Sequence, residues 1–148
     1  MSTAYRLSLQ FQLALKSSVE ACAAAERSLD IFLHRQIQFE CGLCLVCLNY
    51  DMEALSIFQK CLSCFESMGR LLAAAYCLEE IGNIYVQQAN YCDASAAFQA
   101  AISMYSEFGW EGRMEYCRRE LERIKESKEG IGYGDALLYH WSCHFAMY

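Results

Sequence analysis

The chain has 148 residues, of which 55% are hydrophobic and 20% charged, and this balance excludes an intrinsically disordered chain. The 18 acidic side chains outnumber the 12 basic ones, and the resulting net charge of −6 argues against binding to nucleic acid. Proline is absent and alternating, strand-like runs are scarce, so the composition predicts an all-α domain.

The N-terminal stretch is interrupted by Gln10 and Gln12, whereas a secretory signal has an unbroken apolar region. No run approaches the roughly 18 consecutive apolar residues that cross a bilayer. We therefore expect a protein of the cytosol or the nucleus that does not associate with membranes, and of the two we expect a cytoplasmic location.

Helical patterns follow one another along the chain with short turns between them. They cover about residues 4–29, 30–48, 52–67, 71–88, 92–108 and 110–128, which predicts six to seven antiparallel helices. Asp51 is the predicted N-cap of the third helix, because its carboxylate can accept from free backbone N–H groups. Gly69 and Gly109 are predicted to end helices in the left-handed conformation.

The last predicted helix is more polar than the others, and residues 129–148 differ again. Three glycines at positions 130, 132 and 134 precede the apolar sequence DALLYHWSCHFAMY. We expect this tail to fold back as a cap on the helices, since large exposed apolar patches are rare on soluble monomers. The alternative is an exposed apolar segment.

Identical residues recur 40 positions apart in the middle of the chain. The matching pairs are Gly42 and Gly82, Val46 and Val86, Ala54 and Ala94, Phe58 and Phe98, Gln59 and Gln99, Ser63 and Ser103, and Gly69 and Gly109. A fixed period of this size is typical of a helical solenoid, whose units bury their apolar faces against one another.

The best-preserved unit resembles the tetratricopeptide repeat (TPR). The residues that carry the resemblance are Leu78, Ile81, Gly82, Tyr85, Tyr91, Ala94, Phe98 and Ala101. The resemblance implies a right-handed helix-turn-helix solenoid in which Gly82 allows two helices to approach closely and Phe98 fills the space between successive units. The period of 40 exceeds the usual TPR length of about 34 and is more similar to the longer hairpins of regulatory and adaptor proteins.

The predicted repeat domain spans residues 1–128. It divides into a partial unit 1–29, two units 30–68 and 70–108, and a partial capping unit 110–128.

The resemblance also implies a function, which is to bind a peptide or helix of a partner protein on the concave face. So short an array also suggests a segment of a larger regulatory protein, and its end faces allow self-association.

The predicted concave-face residues are Gln36, Phe39, Leu43 and Cys47 in one unit, Tyr76, Glu79, Asn83 and Gln87 in the next, and Tyr116, Arg119 and Arg123 in the last. This groove would be apolar at one end, amide and acidic in the middle and basic at the other end. Alternatively, these side chains are merely solvated.

Ten cysteines raise the alternative of a metal-binding or redox-sensing module. The spaced cysteines are Cys41, Cys44, Cys47, Cys61 and Cys64, and a further motif, His140-x-x-Cys143-His144, lies in the tail. Because the first five fall inside helical patterns, we expect them to be packing residues. No catalytic motif or phosphate-binding loop is present, so neither an enzymatic activity nor a cofactor is predicted.

Overall fold

The computed structural model describes residues 3–130, and this part of the chain is an all-α solenoid, as predicted. Its helices are α1 (Thr3–Ser28), α2 (Ile31–Cys47), α3 (Asp51–Ser67), α4 (Leu71–Gln87), α5 (Tyr91–Glu107) and α6 (Glu111–Gly130). Each helix packs on the next one in the chain. The predicted C-terminal cap falls on residues that lie outside the described part, apart from its first two positions.

Helices α2 to α6 begin at residues 31, 51, 71, 91 and 111, so each starts 20 residues after the previous one. The turns between them are residues 48–50, 68–70, 88–90 and 108–110, three residues each. Half of the 40-residue sequence repeat therefore corresponds to one helix and one turn.

The same backbone conformation recurs with this spacing. Positive φ angles of 55° to 68° occur at Leu29, Asn49, Gly69, Ala89 and Gly109. The predicted left-handed glycines at 69 and 109 are confirmed. Sequence offered no comparable signal at Leu29 and Ala89, because side chains of their type rarely adopt this conformation.

Side-chain caps begin two of the helices. Asp30 accepts a 2.9 Å hydrogen bond from the backbone N–H of Leu33, and Asn90 accepts from that of Asp93. The prediction that Asp51 caps α3 was wrong. Asp51 is the first residue of that helix and Tyr50 is its N-cap, without a side-chain hydrogen bond, so the Asp51 carboxylate acts only through its charge in the first turn.

The two repeat glycines lie against phenylalanine rings of the following helix. A Cβ atom at Gly82 would lie 2.9 Å from Cε1 of Phe98, and one at Gly42 would lie 2.6 Å from Cε1 of Phe58. The close approach is therefore confirmed. However, the ring of Phe98 packs inside its own helix pair, α4 and α5, rather than only between successive units as expected.

The core consists of three clusters of buried residues, which are connected through half-buried side chains such as Phe39, Tyr85 and Met104. Its fully buried side chains include Phe58, Phe65, Phe98 and Tyr105. By contrast, α1 packs on α2 but leaves Leu7, Leu13 and Val19 about half exposed or more. Within residues 3–130 no helix combines the length and the apolar character that a bilayer span requires.

Candidate partner-binding groove

Helices α2, α4 and α6 share one face of the array, and this face contains a depression of about 370 Å³. Its lining residues come from four helices: Gln36, Phe39, Glu40, Leu43, Phe65, Ala73, Tyr76, Glu80 and Arg113. Four predicted site residues, Gln36, Phe39, Leu43 and Tyr76, are thus brought together from two repeats. We call this depression the groove.

Aromatic rings form the wall of the groove and are fixed by further rings behind them. The ring of Phe39 lies 5.2 Å from that of Phe58, centroid to centroid. Tyr76 meets Tyr105 edge-on at 5.8 Å and Trp110 at 6.1 Å. Because these side chains are held by packing, the groove presents a preformed apolar surface.

A second, more open depression of about 390 Å³ adjoins the groove. It is lined by Trp110, Gly112, Arg113 and Tyr116. Arg113 lines both depressions, so its guanidinium lies on the boundary between them. Neither Arg113 nor Trp110 was predicted as a site residue.

Glu79, which was predicted to line the groove, is instead buried, with 3% of its surface exposed. Its carboxylate accepts a 2.8 Å hydrogen bond from the Tyr105 hydroxyl and a 2.9 Å charged hydrogen bond from Arg113. Burial, together with donation to this carboxylate, raises the pKa of Tyr105. Glu79 is buried because two partners satisfy its oxygens, and it ties α4 to α5 and α6.

Asn83 and Tyr116 form a second polar link between α4 and α6. The Tyr116 hydroxyl donates a 2.8 Å hydrogen bond to Oδ1 of Asn83, and burial raises the pKa of Tyr116. Both residues were predicted to contact a partner. Within the free protein they already position one another, and the Asn83 side chain also hydrogen-bonds the Glu80 carboxylate, which leaves the Tyr116 ring as the contact surface.

The remaining predicted residues, Gln87, Arg119 and Arg123, line neither depression. Gln87 is exposed near the end of α4. Arg119 pairs with Glu115 at 3.2 Å, and Arg123 pairs with Glu120 at 2.8 Å. The basic charge predicted for this end of the face is therefore offset within α6 itself.

Sequence analysis missed the glutamates of the groove. Glu40, Glu80 and Glu120 stand 40 residues apart, on α2, α4 and α6, so the repeat places them at equivalent positions. Burial, and secondarily the nearby charge of Glu79, raises the pKa of Glu80. The signal that could have found them is their spacing, which equals that of the core glycines.

Of the five spaced cysteines, Cys41 and Cys61 are buried as expected, whereas Cys44 and Cys64 are half-buried and Cys47 is exposed. Cys41, Cys61, Cys77 and Cys117 are buried free thiols, and burial raises the pKa of Cys61 to about 11 and that of Cys117 to about 12. Such thiols are protonated at neutral pH, which disfavours metal binding and nucleophilic chemistry. Within residues 3–130 no three His, Cys, Asp or Glu side chains are grouped to hold a metal ion. The motif at His140, Cys143 and His144 lies outside the described residues.

Comparison with known proteins identifies a family with this architecture. No curated protein matches the chain. A family model described as "SNAP: Soluble NSF attachment protein, SNAP" matches residues 3–139. This family has a TPR-like helical-repeat fold, so the predicted TPR-like architecture is confirmed, whereas assignment to the TPR family itself is not supported. Because the match covers most of the sequence, the chain belongs to the soluble NSF attachment protein (SNAP) family.

Proposed function

We propose that this protein is a non-enzymatic adaptor that binds a segment of a partner protein in the groove formed by α2, α4 and α6. SNAP-type helical repeats generally mediate interactions between proteins. The observation that carries the proposal is the convergence of Gln36, Phe39, Leu43 and Tyr76, from two different repeats, on one preformed depression of about 370 Å³.

The groove has the physical character of a site for a peptide or a helix. Phe39, Leu43 and Tyr76 offer apolar surface that can bury one or two side chains of a partner, and such buried anchors dominate binding free energy. Gln36 stands at the exposed rim, where a polar side chain can hydrogen-bond without desolvating fully. Hydrogen bonds from a partner to Asn83 and Gln87, and stacking on Tyr116, remain predictions of the same proposal.

The family description gives the first partner to test, because it names attachment to NSF. We propose a cytoplasmic setting for this interaction and a role within a larger regulatory assembly. The exposed side chains of Leu7, Leu13 and Val19 on α1 offer a separate surface for self-association.

The test uses site-specific photo-crosslinking followed by binding measurements. A photoreactive amino acid at Gln36 reports on the groove, and the same amino acid at Ser56, exposed on α3, is the control. A partner captured only through position 36 is then purified, with NSF tested in parallel. Leu43→Arg should weaken its binding by about tenfold or more, because it places a charge against the apolar wall.

Ser56→Arg provides a matched control that adds the same charge to the opposite helix layer. Equal binding by the wild type and Leu43→Arg, with helical content unchanged in circular dichroism, would show that the groove does not bind this partner. Capture at position 56 and not at position 36 would point to the α3 and α5 surface instead.

A further inference from the structure

Two carboxylates lie at the groove beside its aromatic wall. Glu40 is exposed on α2, and Glu80 is half-buried on α4, and both line the same depression as Phe39 and Tyr76. Since Glu40 and Glu80 occupy equivalent positions of consecutive repeats, the geometry of the solenoid brings them to the same face.

Among the described residues that line the groove, Arg113 is the only basic one, and it is already engaged. The guanidinium of Arg113 contacts the carboxylate of Glu79 at 2.9 Å and lies 5.3 Å from the centre of the Tyr76 ring. Its positive charge is therefore largely offset by Glu79, and the charge of the groove is decided by Glu40 and Glu80.

Among residues 3–130, neither of these two glutamates forms an ion pair within 4 Å. Glu80 has a hydrogen bond with the Asn83 side chain and a weaker electrostatic interaction with Arg113, but burial and the nearby charge of Glu79 outweigh both. The third member of the series, Glu120, differs because Arg123 donates to it at 2.8 Å. A partly buried carboxylate whose desolvation is not fully compensated by its neighbours destabilises the protein that carries it. The raised pKa of Glu80 reflects the same cost. A cation supplied by a partner would offset this energetic cost of burying the Glu80 carboxylate.

We propose that the groove recognises a basic and apolar segment of a partner protein, in which a lysine or arginine side chain enters between Glu40 and Glu80. This inference rests on the proposed function and specifies the chemistry of the occupant. The aliphatic stem of the basic side chain packs along the Tyr76 ring, and a neighbouring apolar side chain packs on Phe39 and Leu43. The two carboxylates then provide specificity, and the aromatic wall provides most of the buried area.

The experiment selects random peptides displayed on phage against the purified full chain, with selection repeated against Glu40→Gln/Glu80→Gln. Against the wild type we expect enrichment of lysine or arginine next to an apolar residue. An enriched synthetic peptide should then bind the double variant about tenfold more weakly or worse, and should bind the wild type more weakly as salt increases. Glu107→Gln, which removes an exposed carboxylate at the end of α5, is the matched control and should leave the affinity unchanged.

The outcomes separate this inference from the function on which it rests. Peptides that lose binding in Leu43→Arg, but show no basic residue and bind the double variant normally, would overturn the inference and leave the groove as a binding site. Enrichment of acidic residues would also overturn it. Peptides insensitive to both Leu43→Arg and the double variant would overturn the inference and count against the groove itself.

Discussion

The hydroxyl of Tyr105 donates a 2.8 Å hydrogen bond to the buried carboxylate of Glu79, and Arg113 contacts the same carboxylate from the next helix. Three consecutive helices thus meet at one acidic side chain directly behind the groove wall. This link holds α6 against α4, and it fixes Tyr76, whose ring packs on both Tyr105 and Arg113.

Tyr105→Phe should lower the free energy of unfolding by about 1–3 kcal/mol, because it removes a donor from a buried carboxylate and leaves the rest of the packing intact. Tyr85→Phe is the control. The Tyr85 hydroxyl accepts only a long, exposed hydrogen bond of 3.4 Å from Gln59, so a change below about 0.5 kcal/mol is expected. Urea denaturation monitored by circular dichroism measures both. Equal effects of the two substitutions would contradict a special role for the Tyr105 hydroxyl.

Gly82→Ala should destabilise the protein by about 1–3 kcal/mol, since the new methyl group would lie 2.9 Å from the ring of Phe98 and would force the two helices apart. Gly112→Ala places the same methyl group in the first turn of α6 with no atom within 4 Å. There the better helix propensity of alanine should stabilise by up to about 1 kcal/mol. Thermal unfolding of the two variants should therefore shift in opposite directions, and a shared direction would argue against the close approach.

Ala89→Gly should stabilise the protein by about 0.5–1 kcal/mol. Ala89 has a φ of 55°, so its left-handed strain exceeds the entropy that glycine adds to the unfolded chain. Ala96→Gly makes the same chemical change inside α5, where the backbone is helical, and should cost about 1 kcal/mol. The melting temperatures of both variants, compared with that of the wild type, test this prediction. A loss of stability in Ala89→Gly would show that the backbone is not strained at this residue.

Glu80→Gln should stabilise the free protein at neutral pH. The pKa of Glu80 is raised in the folded state, so ionisation of its carboxyl opposes folding. This cost is fully present above the raised pKa and disappears as the pH falls below the ordinary glutamate value of about 4.3. The stability difference between Glu80→Gln and the wild type should therefore narrow on acidification.

The measurement is urea denaturation across that pH range, with Glu107→Gln as the reference for the loss of one exposed negative charge from an acidic protein. A constant difference at every pH would disprove the link to Glu80 ionisation. Together with the peptide experiment, a stabilising Glu80→Gln would mean that this side chain is kept at a cost to stability.

The fold was readable from sequence because its determinants are local or periodic. Gly82 and Phe98 stand 16 residues apart on consecutive helices, and their counterparts recur 40 residues earlier at Gly42 and Phe58. Apolar periodicity together with this recurrence predicts the helices and their pairing. The left-handed conformation of Leu29 and Ala89 could not be predicted from the sequence, since it is imposed by the packing of the helices that these residues join.

The site was only partly readable, for a different reason. The repeat register predicted that Phe39 and Tyr76 share one face, and both line the groove. It also predicted Glu79 on that face, whereas the Glu79 side chain is buried. The burial of Glu79 depends on Tyr105 and Arg113, which lie 26 and 34 residues further along the chain and outside its own helix. Tertiary partners of this kind leave no trace in the periodicity of a single helix.

The uniform turns have a consequence for how such an array can change in size. Helices α2 to α5 are each 17 residues long, and each is followed by a three-residue turn. A duplication or deletion of one 40-residue segment whose ends fall in these turns would join helix to helix without altering the side of the array that any residue occupies. A single inserted residue within a helix would instead rotate every later side chain on that helix by about 100°. Duplication or deletion of whole units would therefore lengthen or shorten the solenoid and preserve its register, whereas a smaller insertion within a helix would disrupt the packing of that helix.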